Sequence, residues 1–384
     1  MRIKLIIAVS PNDPMRRNDP FMPASLPLLA GSAPEHDYTF VDLLWEDDVR
    51  LDEAVDLVGI SVRYTAQQRA YEIADAFRAR GVKVVLGGPH VSAVPHEAIA
   101  HADAVAVGEG ETTWPRIVAD AAAGQLKSFY ICSPVDFDAR GRTVHQVRCH
   151  PDLARDIPVP LRTPYRQRYV FDTTFASRGC PIGCDFCSVP GFFGPAIRTR
   201  PVNEVVKDIA GFKSYYYILD DTVFGRPATW DYYLSLYDEI ARLPQGRFRK
   251  RFWMGQANLD AAADPKGREV IRRARDAGLL YVAVGMESID PAVLAASGAL
   301  RKQGGGDASE VLERMKKNIR FIQDEGIVIS GWFVVGYPGD TAETYQRTLD
   351  FCLEMNILPV IFPVSAMPGT PLWDKLEATG GLTR

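Results

Sequence analysis

The chain has 384 residues, of which 47% are hydrophobic, 10% aromatic and 24% charged, the composition of a globular protein and not of a disordered one. That length calls for two domains or one large α/β barrel, and excludes a small disulfide-stapled scaffold. With 44 Lys and Arg against 48 Asp and Glu, the net charge of −4 offers no basic field to draw in nucleic acid or an anionic membrane, so a small molecule or a protein is the expected partner.

The N-terminus, Met1-Arg2-Ile3-Lys4-Leu5-Ile6-Ile7, reads as a short strand with no signal-peptide cleavage region behind it. No apolar run reaches the roughly 18 residues that span a bilayer, and a cytoplasmic protein is expected. Strands are predicted at 3–9, 39–43, 57–62, 83–86 and 104–107, alternating with amphipathic helices as in a parallel sheet covered on both faces. The helix predicted over 64–80 places Ala70, Ile73, Ala74 and Phe77 on one buried face, with Gly81 at its C-terminal cap. Ligands of such sheets sit outside the carboxyl ends of the strands. Those ends are small or polar here: Ser10-Pro11-Asn12, Ser61-Val62-Arg63-Tyr64-Thr65, Gly87-Gly88-Pro89-His90 and Gly108-Glu109-Gly110-Glu111. Their glycines let backbone approach a flat or bulky ligand closely.

The texture then changes. A turn at 136–141 and prolines at 151, 158, 160 and 164 mark residues 128–168 as a linker with a small hairpin. Beyond it βα alternation resumes on a longer period, with strands predicted at 170–174, 215–219, 252–256, 281–285, 327–335 and 359–363. Helices are predicted near 203–212, 229–242, 265–277, 309–325 and 341–355. The reading is a doubly wound, Rossmann-like α/β domain over 1–127 followed by a partial (β/α)6 barrel over 169–384, with its chemistry at the strand C-termini.

The chain has six cysteines, too few for a secreted disulfide framework. Cys132, Cys149 and Cys352 stand alone, and no chemistry is expected of them. The other three share one segment, Ser177-Arg178-Gly179-Cys180-Pro181-Ile182-Gly183-Cys184-Asp185-Phe186-Cys187, directly after the first barrel strand. Three thiolates in a Gly- and Pro-containing loop suit one face of a cubane cluster and leave one iron open. Zinc is the minor alternative, since no fourth Cys or His follows at zinc-finger spacing, and a disulfide plus a free thiol is a lesser one.

Cys180-x3-Cys184-x2-Cys187, with Phe186 before the last cysteine, resembles the cluster loop of radical S-adenosylmethionine (SAM) enzymes. The resemblance implies a 4Fe–4S cluster on Cys180, Cys184 and Cys187, chelation of SAM at the open iron, and one-electron cleavage of SAM to a hydrogen-abstracting 5′-deoxyadenosyl radical. It also implies SAM contacts from Phe186, from Asp220 and Asp221 after the second barrel strand, and from Glu287 and Ser288 after the fourth. Gly336 and Gly339, in the turn after the fifth strand, complete that set. For the aspartates, and for Ser288, capping of the following helix is the competing reading.

The segment Pro363-Val364-Ser365-Ala366-Met367-Pro368-Gly369-Thr370-Pro371 and the doubly wound first domain are similar to the cobalamin-binding branch of that family. This implies a corrin held near Ser10, Asn12, Ser61, Arg63, Tyr64, Gly87, Gly88, His90, Gly108, Glu109, Gly110 and Glu111. The cobalt-ligating Asp-x-His-x-x-Gly signature is absent after the first strand, where Asn12-Asp13-Pro14-Met15-Arg16-Arg17 stands, so a cobalamin without a histidine lower ligand is expected. A lone loop histidine such as His90 or His96 is by default a hydrogen-bonding residue. Phe192, Phe193 and Gly304-Gly305-Gly306 are read as pocket border or exposed loop.

The implied activity is methyl transfer from methylcobalamin to an unactivated carbon of a small-molecule or natural-product substrate, with flavodoxin or ferredoxin as electron donor. Radical cyclisation, ring contraction or oxidation is the alternative within the branch. A non-catalytic iron–sulfur redox module is the alternative outside it.

Overall fold

The computed structural model describes residues 1–131, 150–165, 169–212, 215–244 and 251–382. Cys132, Cys149 and the expected turn at 136–141 lie outside the described residues. Two compact units are present: Met1–Val170 with Ser188–Gly194 and Met367–Arg384, and Phe171–Cys187 with Pro195–Ala366.

In the first unit, β1 (Arg2–Ile7), β2 (Asp37–Asp42), β3 (Leu57–Ser61), β4 (Lys83–Gly87), β5 (Ala104–Val107) and β6 (Phe129–Ile131) form a parallel sheet. Its order is β2-β1-β3-β4-β5-β6. Leu5, Ile6, Val58, Val84, Leu86 and Val105 are wholly buried, because helices cover both faces and each strand reads as a continuous apolar run. The helix Gln67–Arg78 buries Ala70, Ile73, Ala74 and Phe77, the face its spacing predicts. It starts three residues later than expected because Ala66 N–H bonds the Arg63 carbonyl in a turn at 3.1 Å. β6 was missed: three residues are too short to show a period, and they fall at the head of the expected linker. What is described of that linker packs on the first unit. Leu161 N–H donates to Pro27 O at 2.9 Å, and the Val159 carbonyl fills the space a side chain on Gly31 would need. The winding reverses between β1 and β3, which opens a crevice at their carboxyl ends.

In the second unit, β7 (Asp172–Thr174) is followed by a two-residue antiparallel ladder of β8 (Ser177–Arg178) on β9 (Arg198–Thr199). Then come β10 (Tyr215–Ile218), β11 (Phe252–Ala257), β12 (Leu279–Glu287), β13 (Val328–Val335) and β14 (Leu358–Pro363). The main sheet runs β7-β10-β11-β12-β13-β14, all parallel. Helices Val202–Ala210, Trp230–Arg242, Pro265–Asp276, Val311–Asp324 and Ala342–Met355 fill the crossovers, as the sequence predicts. The order follows the chain and leaves β7 and β14 as edges, so this is a partial (β/α)6 barrel.

Strand alternation divides the sheet's faces. Trp253, Val282, Val284 and Phe333 are buried toward the helices, where Trp253 stacks on Tyr216 and Tyr237 with centroids 6.3 and 5.3 Å away. The opposite parity, Met254, Gln256, Tyr281, Gly285, Trp332, Val334 and Val360, is only half-buried. That face is the one open to a ligand.

Candidate active site

The loop after β7 is shaped by two carboxylates that follow β10. Asp220 is wholly buried and accepts from Ala176 N–H (2.6 Å), Ser177 N–H (3.0 Å), Ser177 Oγ–H (3.1 Å) and Tyr233 Oη–H (2.7 Å). Burial raises its pKa even against these bonds. Asp221 accepts from Gly179 N–H at 3.0 Å, and burial pushes its carboxyl up to about 6. The loop turns at Gly179 and Gly183, both left-handed at φ +100° and +75°, one residue before Cys180 and Cys184; a side chain at either is strained. Cys187 N–H closes on Cys184 O at 3.1 Å.

Cys180 and Cys184 are buried, Cys187 is half-buried, and none is in a disulfide. Burial raises both buried thiols, Cys184 to about 12, so they are protonated unless a metal displaces the proton. Among the described residues no three Cys, His, Asp or Glu side chains converge on a single-ion site. The donor set fits a 4Fe–4S cluster: three soft sulfurs on one loop, with no protein ligand required at the fourth iron.

The other strand ends face this loop within the same unit. Asp185 N–H donates to Ser297 O at 3.0 Å, and Tyr337 Oη–H donates to Asp185 at 2.6 Å. Phe186 meets the Tyr337 ring edge-on at 6.2 Å. Gly336 and Tyr337 N–H groups bind Asp340 at 2.8 and 3.0 Å, which fixes the turn containing Gly336 and Gly339. Glu287 ends β12 in the left-handed region, φ +63°, an uncommon and strained place for a glutamate. Its Oε1 pairs with Lys302 Nζ at 2.5 Å. The Ser288 hydroxyl accepts from Asp290 N–H at 3.0 Å.

Two expectations need correction. Asp220 has no exposed surface and spends its oxygens on the loop backbone, Ser177 and Tyr233; it supports the cysteine loop and does not reach SAM. Ser288 is buried and its oxygen serves a turn, while the helix that follows is capped by Asp290, whose side chain accepts from Ala292 N–H and Val293 N–H. Lys302 and Arg226 were not foreseen. Arg226 pairs with Asp260 at 2.6 Å and has buried Nε and Nη2 without a hydrogen-bond partner. Neither carries a local signal, since Lys302 lies 15 residues and Asp260 lies 34 residues from the partner.

At the carboxyl ends of the first sheet, Asn12 and Arg63 are exposed, while Ser10, Ser61, Tyr64, Gly87, Gly88 and Gly110 are half-exposed. Gly88 sits at φ +99°, where a Cβ would meet Val62 O and N at 2.9 and 3.0 Å; only glycine fits. Gly108 N–H bonds Ser92 Oγ at 2.9 Å. His90, Glu109 and Glu111 are buried. His90 Nε2 engages Glu97 at 3.2 Å with Tyr64 and Tyr71 against its ring, and Glu109 pairs with His150 Nδ1 at 2.9 Å. Asp42, at the end of β2, was also missed: it accepts from Tyr169 Oη–H and from Leu44 N–H.

Comparison with known proteins follows this division. Residues 23–118 match the B12 binding domain model, and residues 175–352 match that of the radical SAM superfamily. The chain thus carries a B12 binding domain followed by a radical SAM domain. It is 26% identical over 367 residues to the bacteriochlorophyllide d C-12(1)-methyltransferase of Chlorobaculum tepidum, covering 93% of this chain and 74% of the relative. The hopanoid C-2 methylase of Rhodopseudomonas palustris is 24% identical, over 85% of this chain and 58% of that one. Among solved structures, the radical SAM methyltransferase TsrM from Kitasatospora setae superposes with a TM-score of 0.74 at 16% identity, over 98% of this chain and 75% of that one. The B12 binding domain implies cobalamin, and the radical SAM domain implies a 4Fe–4S cluster with SAM. No helix among its described residues is long and apolar enough to cross a membrane.

Proposed function

We propose that the enzyme methylates an unactivated carbon of a largely apolar small molecule, with Cys180, Cys184 and Cys187 as cluster ligands. When bound, cluster and SAM supply a hydrogen-abstracting radical and cobalamin supplies the methyl group. The chain's own residues bind and orient. Asp221, half-buried beside the cysteine loop, offers its second oxygen to the methionyl ammonium, a charge-assisted bond. Phe186, Tyr337, Gly336 and Gly339 border the nucleoside, and Glu287 Oε2 accepts from the ribose. In the first domain Ser10, Asn12, Ser61, Arg63, Tyr64, Gly87, Gly88, Gly108 and Gly110 border the corrin through backbone and short side chains.

The observation that carries the reading is the union of an intact three-cysteine loop with a B12 binding domain in one chain. The open face of the barrel supports the substrate class: Met254, Trp332, Val334 and Val360 are apolar or aromatic, with Tyr217 bonded to Gln256 and Trp332 against Phe362 at 5.4 Å. Such a face holds a reactant by shape and leaves few polar groups to fix its orientation. A low-potential one-electron donor such as flavodoxin or ferredoxin supplies reduction in the cytoplasm.

The test is anaerobic turnover with methyl-deuterated SAM, cobalamin, a low-potential reductant and a panel of apolar aromatic and polycyclic substrates. Formation of 5′-deoxyadenosine with a product heavier by one labelled methyl group is expected. SAM cleavage with an unlabelled product assigns cyclisation or oxidation instead, and a cluster that cleaves no SAM leaves only a redox module.

A further inference from the structure

The short turn Ala299–Gln303 belongs to no predicted motif, yet it lies against the cysteine loop. A Cβ on Gly298 would be 3.2 Å from Gly183 O and 3.8 Å from the Cys184 Cα, and Ser297 O receives the Asp185 N–H. Gln303, wholly buried, donates to Gly285 O at 3.1 Å and Met286 O at 3.0 Å, which clamps the turn to the end of β12. Between these anchors Lys302 points inward, with its side chain 16% exposed and that of its partner Glu287 8% exposed. The missing side chain of Gly285 makes the room, since a Cβ there would stand 2.5 Å from Glu287 Oε1 and 2.9 Å from Lys302 Nζ. Against the cost of its burial, Glu287 keeps Lys302 an ammonium, and Cys184 and Cys187, once thiolates, act on it in the same sense.

We propose that Lys302 is the fixed counter-charge of the cluster, an ammonium held by Glu287 and by the Gln303-clamped turn that favours the reduced cluster and so sets its potential. Reduction adds one negative charge to a site already carrying three thiolates. A cation locked in a turn packed on the Cys184 segment stabilises that state more than the oxidised one, and the dry surroundings strengthen the effect. Glu287 is the positioning residue: it holds the ammonium and offsets part of its field. A left-handed, strained Glu287 persists because the ion pair and the Gln303 clamp over-determine it.

The inference rests on the radical SAM reading. The test is potentiometric titration of the reconstituted cluster, followed by EPR without SAM, in the wild type and in Lys302→Met, Lys302→Arg and Glu287→Gln. Lys302→Met is expected to titrate at a more negative potential, Lys302→Arg near the wild type, and Glu287→Gln at a more positive one, because the offsetting anion is gone while the cation remains. Opposite shifts separate a charge effect from a packing effect, which moves both variants the same way. An unchanged Lys302→Met potential at equal iron content, even with weakened SAM binding, overturns the proposal. If Lys302→Met takes up no iron, the sign of the Glu287→Gln shift decides. A wild type that binds no iron refutes the family reading instead.

Discussion

In the second unit the ligand loop is fixed by ionisable side chains: Asp220 takes four donors at the root of the cysteine loop, Asp221 takes a fifth, and Lys302 closes on Glu287. In the first unit the glycines at the strand ends are held by backbone and one hydroxyl, with Gly88 wedged against Val62 and Ser92 bridging Gly88 O and Gly108 N, while the ionisable pairs His90–Glu97 and Glu109–His150 lie buried or half-buried beside them. A covalent, charged cluster needs ligands in one arrangement, and buried carboxylates deliver that rigidity. A large cofactor needs area and close approach, and glycine-rich strand ends deliver those. The difference predicts sharp, single-residue failures in the barrel and graded ones in the first sheet.

The sharpest break is Cys184→Ala, which is expected to abolish the cluster absorbance and drop SAM cleavage to background while cobalamin binding by the first domain persists. If cobalamin uptake fell equally, the two regions would not be separable in this way. Next is Asp220→Ala, which strands buried donors on Ala176, Ser177 and Tyr233; a loss of about 3 kcal/mol in denaturant unfolding of the apo-protein is expected. A loss below about 1 kcal/mol would show that the loop does not depend on Asp220. Gly88→Ala should cost about 1–3 kcal/mol, because alanine at φ +99° is strained and its Cβ meets Val62 backbone. Cobalamin retention on gel filtration should weaken while iron content stays at the wild-type level. Retention at the wild-type level would remove Gly88 from the corrin border.

How much of this was visible in the sequence follows the same line. The cysteine loop was legible because all its ligands lie within eight residues, and the helix face Ala70, Ile73, Ala74 and Phe77 because amphipathic period is a local signal. Asp221 and the Gly336 turn were legible from their place after strands. What was not legible is what depends on contacts between distant segments: the burial of Asp220 under Tyr233, the pairing of His90 with Glu97, and Lys302 arriving beside the cluster loop from a turn with no motif. A strand-end position says which end of the sheet a side chain occupies, not whether neighbouring helices have already claimed its polar atoms. The same holds for Asp42, whose partner Tyr169 lies 127 residues on.

The last predicted effect has the opposite sign from the rest, and it separates Asp220 from Asp221. The Asp221 carboxyl is raised to about 6, first by burial, from roughly 3.9 in an unfolded chain. Between those values the folded state holds a proton that the unfolded state has released, so stability falls as pH rises from about 4 to 6 and stays lower above that. Below both values the term vanishes. Asp221→Asn keeps an acceptor for Gly179 N–H and removes the charge, so the apo-variant should be more stable than the wild type at pH 8, by about 1–3 kcal/mol, and no different at pH 4. On the proposal that Asp221 binds the methionyl ammonium, the same variant should lose SAM affinity at pH 8. Thermal unfolding at the two pH values and SAM titration at the higher one test this together. Equal stability at pH 8 would show Asp221 to be a second structural brace like Asp220, and would leave the barrel mouth without its ammonium acceptor.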